Sequence, residues 1–411
     1  MRFSARCVRG AVSALNTGGR ALHRLGADPP SLELEDLRRA AERRAGVSAL
    51  GAWPIEEPLA RLLDSYRREA ELTTLGRITV RELLVSLLEN LLRLETERAA
   101  NPGVERQAIG DPVFITGLPR TGTTHLHGLL SQDRENRAPL TWEVMYAAAR
   151  GTTPAEIGPV RARAQSRLDW ANRLAPEFMR IHPIAPDLPQ ECIAIHAQIF
   201  MGIQFHTTHN VPSFQDWFER DSQDLAYEFH RRLLQHLQAH RPGGRWVLKA
   251  PGHLFSLGAL LRRYPNARIV QTHRDPLRAM ASMASHATVL RRAFSDNAVP
   301  ERIAADWVER WARALDDFLA VRDRASPAQF LDVDYDSIER APLETVERVY
   351  DFLGWPLTAT ARAAIERFLA ANPKDKHGVH RYTLEQYGLD RAALTRRFAR
   401  YIDRFELRTD D

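Results

Sequence analysis

The sequence predicts an α/β fold with three layers, αβα, in which helices cover both faces of a central parallel sheet. A helical N-terminal region precedes this fold. Three observations predict the architecture. Leucines recur at helical spacing in the first hundred residues, and short apolar runs alternate with helical segments after residue 112. A glycine-containing loop joins the first apolar run to a helix, which makes the predicted fold P-loop-like.

The composition excludes several classes of protein. The chain has 411 residues, of which 44% are hydrophobic and 27% charged, so it is not a disordered protein. The net charge is +5, but the basic residues are spread along the chain, and we expect no nucleic-acid partner. Cys7 and Cys192 are the only cysteines and are far apart, which excludes a disulfide scaffold or a cysteine-built zinc site. No apolar run reaches the roughly 18 residues that span a bilayer.

We predict a helical N-terminal region over residues 1–105 and an α/β domain over residues 106–411. The leucine pattern of the first region ends at Asn101-Pro102-Gly103. The first 27 residues contain five arginines and no acidic residue. They form either an ordinary, partly frayed terminus, which is the plainer interpretation, or a transit-like or membrane-surface segment. No signal-peptide core with a cleavage site is visible, and we expect a cytoplasmic protein.

The α/β domain is predicted from its strands and helices in turn. The apolar runs predicted as strands are residues 113–116, 246–248, 267–272 and 330–333. The segments predicted as helices are residues 123–132, 255–264, a helix that Pro276 opens, and 342–353. The middle of the chain, residues 151–240, is rich in proline, histidine and aromatic residues. We expect the acceptor pocket there.

The loop after the first strand has the composition of an anion site. It reads Gly-Leu-Pro-Arg-Thr-Gly-Thr-Thr over residues 117–124. Backbone N–H groups of such a turn can point at one anion, and the helix N-terminus adds partial positive charge. Gly122 allows close approach, and Arg120 supplies a charged fork suited to phosphate or sulfate. The hydroxyls of Thr121, Thr123 and Thr124 are further donors. Thr123 stands where a Walker A loop has lysine, which argues against ATP or GTP hydrolysis.

This loop resembles the 5′-phosphosulfate loop of the sulfotransferase superfamily, G-x-P-[KR]-[ST]-G-T-T. The second signature of that family is an Arg-Asp pair after the third strand with a serine eight residues beyond the arginine. Here these residues are Arg274-Asp275 and Ser282. The resemblance covers residues 113–356 and is to the bacterial branch related to tyrosine-protein sulfotransferases. It implies 3′-phosphoadenosine 5′-phosphosulfate (PAPS) as co-substrate, without a metal. The implied contacts are Pro119, Arg120, Thr121, Gly122, Thr123, Thr124, Arg274 and Ser282.

The C-terminal tail carries a further part of the resemblance. The stretch from residue 376 to residue 382, Lys-His-Gly-Val-His-Arg-Tyr, looks like the basic loop with which the family covers the nucleotide. It departs from the cytosolic Arg-Lys-Gly-x-x-Gly pattern. By this resemblance the tail would add Lys376, His377, Gly378, Arg381 and Tyr382 to the nucleotide contacts. Lys374 is assigned to the same loop.

Sulfuryl transfer needs a cation at the leaving phosphate and a base for the acceptor hydroxyl. Lys249 closes the second strand, is one of only three lysines, and resembles the catalytic lysine of tyrosine-protein sulfotransferases. Those enzymes place a glutamate base near the position of Glu143, whereas cytosolic sulfotransferases use a histidine near that of His253. We expect Glu143 as the base and His253 as an acceptor-positioning residue; either could instead be a helix cap. Glu191 is a third candidate.

The sequence therefore predicts a PAPS-dependent sulfotransferase that acts on a hydroxyl or amine of a small, apolar or aromatic acceptor. One alternative is a P-loop kinase or NTPase, and another is a nucleotide-binding protein without catalytic activity. Aromatic residues of the middle region line the acceptor pocket or belong to the core: Trp142, Phe178, Phe200, Phe205, Phe214, Trp217 and Phe218.

Overall fold

The central sheet has five parallel strands in the order β2-β3-β1-β4-β5. The computed structural model describes residues 5–26, 29–48, 51, 53–174, 184–372 and 383–409. The strands are β1 (Val113–Gly117), β2 (Asn136–Arg137), β3 (Arg245–Lys249), β4 (Arg268–His273) and β5 (Phe330–Asp334). The four predicted strands and the parallel sheet are confirmed. The two-residue edge strand β2 is additional, and it is too short to leave a hydrophobic pattern in the sequence.

Helices surround the sheet and form the N-terminal region. The first four are α1 (Ala5–Arg24), α2 (Leu34–Ala45), α3 (Glu56–Glu69) and α4 (Thr74–Ala100). The next seven are α5 (Thr123–Leu130), α6 (Thr141–Met145), α7 (Pro154–Leu174), α8 (Cys192–His196), α9 (Gln204–Thr208), α10 (Pro212–Arg220) and α11 (Asp224–His240). The last eight are α12 (Leu257–Arg263), α13 (Pro276–Arg292), α14 (Pro300–Arg322), α15 (Tyr335–Arg340), α16 (Pro342–Leu353), α17 (Ala359–Ala371), α18 (Arg391–Arg397) and α19 (Ala399–Arg404). Within the described ranges, no helix is both long and apolar enough to cross a membrane.

Alternate residues of each strand enter two different hydrophobic clusters, one on each face of the sheet. In β1, Val113 and Ile115 pack with α5, α16 and α17, whereas Phe114 packs on the opposite face with α11 and α12. In β4, Val270 lies on the same face as Val113 and Ile115, and Ile269 lies on the same face as Phe114. The predicted three-layer αβα architecture is therefore confirmed.

The N-terminal helices share a hydrophobic core with one face of the sheet. Thr73 caps α4 by accepting a hydrogen bond from the Gly76 N–H at 3.1 Å. Buried leucines of α2, α3 and α4 lie in the same cluster of side chains as Phe114 of β1 and Leu248 of β3. The division of the chain at residues 105 and 106 stays a prediction, but the side-chain packing is continuous across it.

The strand register brings three loops to one edge of the sheet. Gly117, the last residue of β1, pairs with Thr272 of β4, and Ile115 of β1 pairs with Lys249, the last residue of β3. The carboxyl ends of β1, β3 and β4 thus lie side by side. Ligands of open parallel sheets bind outside this edge, where the order of the strands reverses.

Buried histidines should make the stability of the fold depend on pH. Burial lowers the pKa of His127, His196 and His209 to about 3 and that of His206 to about 4. In the unfolded chain a histidine titrates near pH 6.5. Below that pH the unfolded chain binds protons that the folded chain does not, so stability is full above about pH 6.5 and falls as the solution becomes acidic. Each such histidine contributes up to about 1.4 kcal/mol per pH unit.

Thermal unfolding should therefore begin at lower temperature at pH 5 than at pH 7.5. In a His196→Phe variant the melting temperature should fall less between pH 7.5 and pH 5, because the variant lacks one of these buried imidazoles. The ring of His196 packs against those of Tyr227 and His230, so an aromatic replacement suits the site. A melting temperature that stays constant or rises toward pH 5 would contradict this account.

Candidate active site

Two glycines allow the loop after β1 to fold tightly against the sheet. A Cβ on Gly117, which has φ 149°, would lie 2.4 Å from the Thr272 carbonyl oxygen. Gly122 has φ 88°, and a Cβ there would lie 3.0 Å from the Ile338 side chain. The first distance leaves no room for a side chain, and at Gly122 the contact would be tight and the positive φ would strain any other residue. Gly122 also precedes α5 directly, so the loop delivers its backbone N–H groups to the start of that helix.

Threonines tie this loop to the neighbouring strands. The Thr116 hydroxyl donates to the Ala250 carbonyl at 3.0 Å, which links β1 to the end of β3. The buried Thr121 hydroxyl donates to the Leu118 carbonyl at 2.7 Å and lies 2.6 Å from the Thr272 hydroxyl. These contacts occupy the Thr121 hydroxyl within the fold and argue against its expected use as an anion donor. Its backbone N–H is not part of them.

Arg274 joins the end of β4 to the loop. Its Nη1 donates to the Arg120 carbonyl oxygen at 2.9 Å, and its guanidinium lies 3.9 Å from the centre of the Tyr335 ring. Asp275 caps α13 by accepting a hydrogen bond from the Leu277 N–H at 2.8 Å. Ser282 is buried in the same helix. The two sequence signatures, around Arg120 and around Arg274, therefore meet at one edge of the sheet.

Lys249 projects from the end of β3 into this site and is almost completely buried. Its Nζ donates to the Thr124 hydroxyl oxygen at 3.1 Å and forms an ion pair with Glu191. The Thr124 side chain is exposed at the first turn of α5. The lysine thus connects the predicted anion loop to a carboxylate from a different part of the chain.

A short backbone pairing holds Glu191 at this position. The Gln190 N–H donates to the Pro139 carbonyl at 2.7 Å, and the Thr141 N–H donates to the Leu188 carbonyl at 3.0 Å. Glu191 follows this pairing directly and precedes α8. Its carboxylate retains partial exposure, in contrast to Lys249.

Glu143 has a different environment. Its Oε2 accepts from the backbone N–H of Leu140, the residue before α6, at 2.9 Å and so caps the start of that helix. Its Oε1 accepts from Arg241 Nε at 2.6 Å and from Arg137 Nη2 at 3.2 Å. Only 3% of the side chain is exposed. Both oxygens of this buried carboxylate are thus occupied by donors within the fold, so these contacts argue against Glu143 as the base and support the helix-cap alternative.

His253 lies in the 3₁₀ turn Pro251–Phe255 after β3, where it is buried. Its Nδ1 is 2.6 Å from the Tyr227 hydroxyl, and its ring packs edge-on against Phe114. Burial, with smaller contributions from His196 and Lys249, holds its pKa well below the usual range. The imidazole is therefore neutral at pH 7 and a poor proton acceptor.

Known proteins match this chain in sequence and in fold. The family model described as "Sulfotransferase family" matches residues 112–359, more than half of the chain. The chain belongs to the sulfotransferase family. Its fold is similar to that of sulfotransferase STF1 from Mycobacterium tuberculosis H37Rv, with a TM-score of 0.80 and 33% identity over 89% of this chain and 98% of that one. Sulfotransferase STF9 from Mycobacterium avium gives a TM-score of 0.81 and 26% identity over 93% and 99%.

A curated relative adds a sequence match of similar extent. The sulfotransferase Stf3 of Mycobacterium bovis, named for omega-hydroxy-beta-dihydromenaquinone-9, is 23% identical over 337 residues, which are 78% of this chain and 82% of the relative. The family match favours sulfotransferase activity over the kinase or NTPase alternative. Within the described part of the chain, no group of three or more His, Cys, Asp or Glu side chains is arranged to hold a metal ion.

Several expectations for this sulfotransferase concern other parts of the chain. The tail residues Lys374, Lys376, His377, Gly378, Arg381 and Tyr382 lie outside the described residues, as does Phe178. Most of the aromatic side chains of the middle region are buried in the core cluster rather than exposed to a pocket, as Phe200, Phe205, Phe214 and Phe218 show. For these residues the structure favours the core alternative.

A cavity of about 530 Å³ lies between α4, α6 and α7. It is lined by Glu89, Arg93, Tyr146, Arg163 and Arg167, together with smaller residues. The lining therefore combines charged side chains with apolar ones such as Val47, Met145 and Val160.

Proposed function

We propose that this sulfotransferase moves the sulfuryl group of PAPS to a hydroxyl or amine of a small, apolar or aromatic acceptor. One observation carries the proposal: the hydrogen bond of Arg274 to the Arg120 carbonyl joins the two predicted phosphate-binding segments. A nucleotide with phosphates at both its 3′ and 5′ positions needs two such segments at one site. A nucleoside triphosphate carries phosphates only at its 5′ position, so the loop of residues 117–124 would be enough to bind them.

The residues present suit this co-substrate. The tight turn at Gly117 and Gly122 leaves backbone N–H groups and the α5 N-terminus for the 5′ end. Arg274 and Ser282 would hold the 3′-phosphate, by the resemblance to the family. PAPS, when bound, supplies an activated sulfuryl group whose leaving phosphate accumulates negative charge. Lys249 stands between this loop and Glu191, so its ammonium can neutralise that charge without a metal ion.

We infer that Glu191 is the base, in place of Glu143. Its carboxylate contacts the lysine at the reaction site and is partly exposed, whereas the Glu143 carboxylate is held by Arg137 and Arg241. A base must reach the acceptor proton within hydrogen-bond distance, and the partly exposed carboxylate of Glu191, next to Lys249, would be within reach of an acceptor bound at this site. Proton transfer to Glu191 would also weaken its hold on Lys249 as the ammonium moves toward the leaving oxygen.

The acceptor class rests on one relative. The mycobacterial Stf3 is named for a hydroxylated dihydromenaquinone. By this similarity we propose an apolar acceptor that carries a hydroxyl group. A cytoplasmic location stays a prediction.

Ligand binding tests the proposed co-substrate. Adenosine 3′,5′-bisphosphate without magnesium should raise the melting temperature, because it binds the folded state alone. ATP with magnesium should raise it much less. A response to magnesium and ATP with none to the bisphosphate would contradict the proposal and favour the kinase alternative.

Arg274→Ala should weaken binding of adenosine 3′,5′-bisphosphate by more than about tenfold, since it removes a charged phosphate contact. Arg340→Ala, which removes an exposed arginine from the neighbouring α15, is the matched control and should leave the affinity unchanged. Isothermal titration calorimetry measures both dissociation constants. Equal constants for the Arg274→Ala variant and the unmodified protein would refute the role of Arg274.

A further inference from the structure

Exposed apolar side chains concentrate on three helices that contact one another. Helix α1 packs against both α4 and α7. Of the six large hydrophobic residues that are exposed in the described part of the chain, five belong to this group of helices: Leu15, Leu22 and Leu25 on or just after α1, Ile78 on α4, and Trp170 on α7. We call these five residues the apolar patch. Single exposed hydrophobic residues are common, but a concentration of them marks an interaction surface.

The packing of α1 explains why its leucines face outward. The Asn16 side-chain oxygen accepts a hydrogen bond from the Leu75 N–H at 3.0 Å. One turn later, Gly19 lies so close to Thr74 that a Cβ would meet the threonine hydroxyl. Leu15 and Leu22 are seven residues apart and lie along one stripe of the helix, and Gly19 and Asn16 follow at the edge of that stripe. The leucines therefore flank the contact with α4, and each keeps about two fifths of its surface exposed, 40% and 43%.

The charge around the apolar patch is positive. Helix α1 contains four arginines and no acidic residue, and α7 contains four arginines and two acidic residues. Arg20 and Arg24 are exposed near Leu22. On α7, Arg163 is 63% exposed although its Nη2 lies 4.0 Å from Glu89. Ion pairs with Asp187 and Glu82 partly offset two further arginines of α7, Arg161 and Arg167. Arg20 forms an ion pair with Asp296 at 3.5 Å, but both side chains are exposed, so this pair is weak. A basic amphipathic helix with exposed leucines is typical of segments that bind membrane surfaces.

We propose that the apolar patch, together with the exposed Arg20 and Arg24 of α1 and Arg163 of α7, docks this protein on the surface of an anionic phospholipid bilayer. The leucines and Trp170 would enter the boundary between headgroups and acyl chains, while the arginines contact lipid phosphates. The complementarity of charge favours a bilayer over a second copy of this chain, since two copies would bring the arginines of α1 together. The docking is independent of the chemistry at Lys249.

Vesicle co-sedimentation of the full chain tests this proposal. The protein should bind vesicles of equimolar phosphatidylcholine and phosphatidylglycerol roughly tenfold more strongly than vesicles of phosphatidylcholine alone. High salt should remove most of the difference, because it screens the arginines. Equal binding to both vesicles, or binding to neither, would overturn the proposal.

Paired variants locate the surface. Leu22→Ser with Leu25→Ser, and separately Arg20→Gln with Arg24→Gln, should each reduce binding to the anionic vesicles by roughly tenfold. Leu188→Ser, which changes the exposed leucine outside the apolar patch, is the matched control and should bind normally. The charge variant tests the proposal even if the leucine variant does not fold. If both double variants bind vesicles normally, or if they instead abolish a dimer seen by light scattering, the patch serves another purpose and the proposal fails.

Discussion

Lys249→Met should lower kcat for sulfuryl transfer by about 100- to 1000-fold, the range seen when one preorganised charge-stabilising group is removed from an active site. Methionine has nearly the same length as lysine but no positive charge, so it cannot neutralise the negative charge that develops on the leaving oxygen. The dissociation constant for adenosine 3′,5′-bisphosphate should change little, because Arg274 and the backbone of the loop remain. Steady-state kinetics with radiolabelled PAPS and calorimetry with the bisphosphate measure the two effects.

The ion pair of Lys249 with Glu191 requires a control for stability. Removing one partner leaves the other charge in a largely buried site, which is costly. The double variant Lys249→Met with Glu191→Gln removes both charges and should regain part of any lost melting temperature. If the single variant is folded and turns over normally, the assignment of Lys249 is wrong.

Glu191→Gln should reduce kcat by about 100-fold or more while leaving nucleotide affinity nearly unchanged, because glutamine fills the same space but cannot accept a proton. The glutamine can still accept a hydrogen bond from Lys249, so the lysine should keep its position. Steady-state kinetics with PAPS and an acceptor measure kcat, and calorimetry with adenosine 3′,5′-bisphosphate measures the affinity; an unchanged kcat would contradict the role of Glu191.

Glu143→Gln is the matched comparison for this result. It should lower stability by about 3 kcal/mol, because Arg137 and Arg241 lose a buried carboxylate, and should change kcat only a few-fold in the folded protein. If Glu143→Gln instead abolishes turnover at unchanged stability and Glu191→Gln does not, the base is Glu143, as the sequence first suggested.

The fold could be predicted from the sequence because its strands are short apolar runs and the helices beside them begin at recognisable residues. Val113 to Gly117 and Arg268 to His273 show this pattern, and the structure confirms both strands. Strand β2 lacks it, since two residues at a sheet edge carry no periodicity. The three-layer order follows from burial of each strand on both faces, which a continuous apolar run such as residues 113–115 already specifies.

The active site was only partly accessible, because its decisive contacts join distant parts of the chain. Lys249 and Glu191 are 58 residues apart, and the hydroxyls of Thr121 and Thr272 are 151 residues apart. Glu143 matched a glutamate of the resembling family in sequence position, but its partner Arg241 is 98 residues away and reveals a structural contact. The scarcity of lysine did single out Lys249. A comparable signal for Glu191 was absent among the many acidic residues.

The hydrophobic core that α2, α3 and α4 share with the sheet has a consequence for dissecting the protein. A chain shortened to begin at residue 106 would lose the leucines of these helices. Phe114 and Leu248, which share a hydrophobic cluster with them, would become exposed together with their neighbours. Such a truncation would aggregate rather than yield a minimal catalytic unit. Substitutions in the first hundred residues must therefore preserve the shape of this contact. This holds in addition to any part that these residues play in acceptor choice.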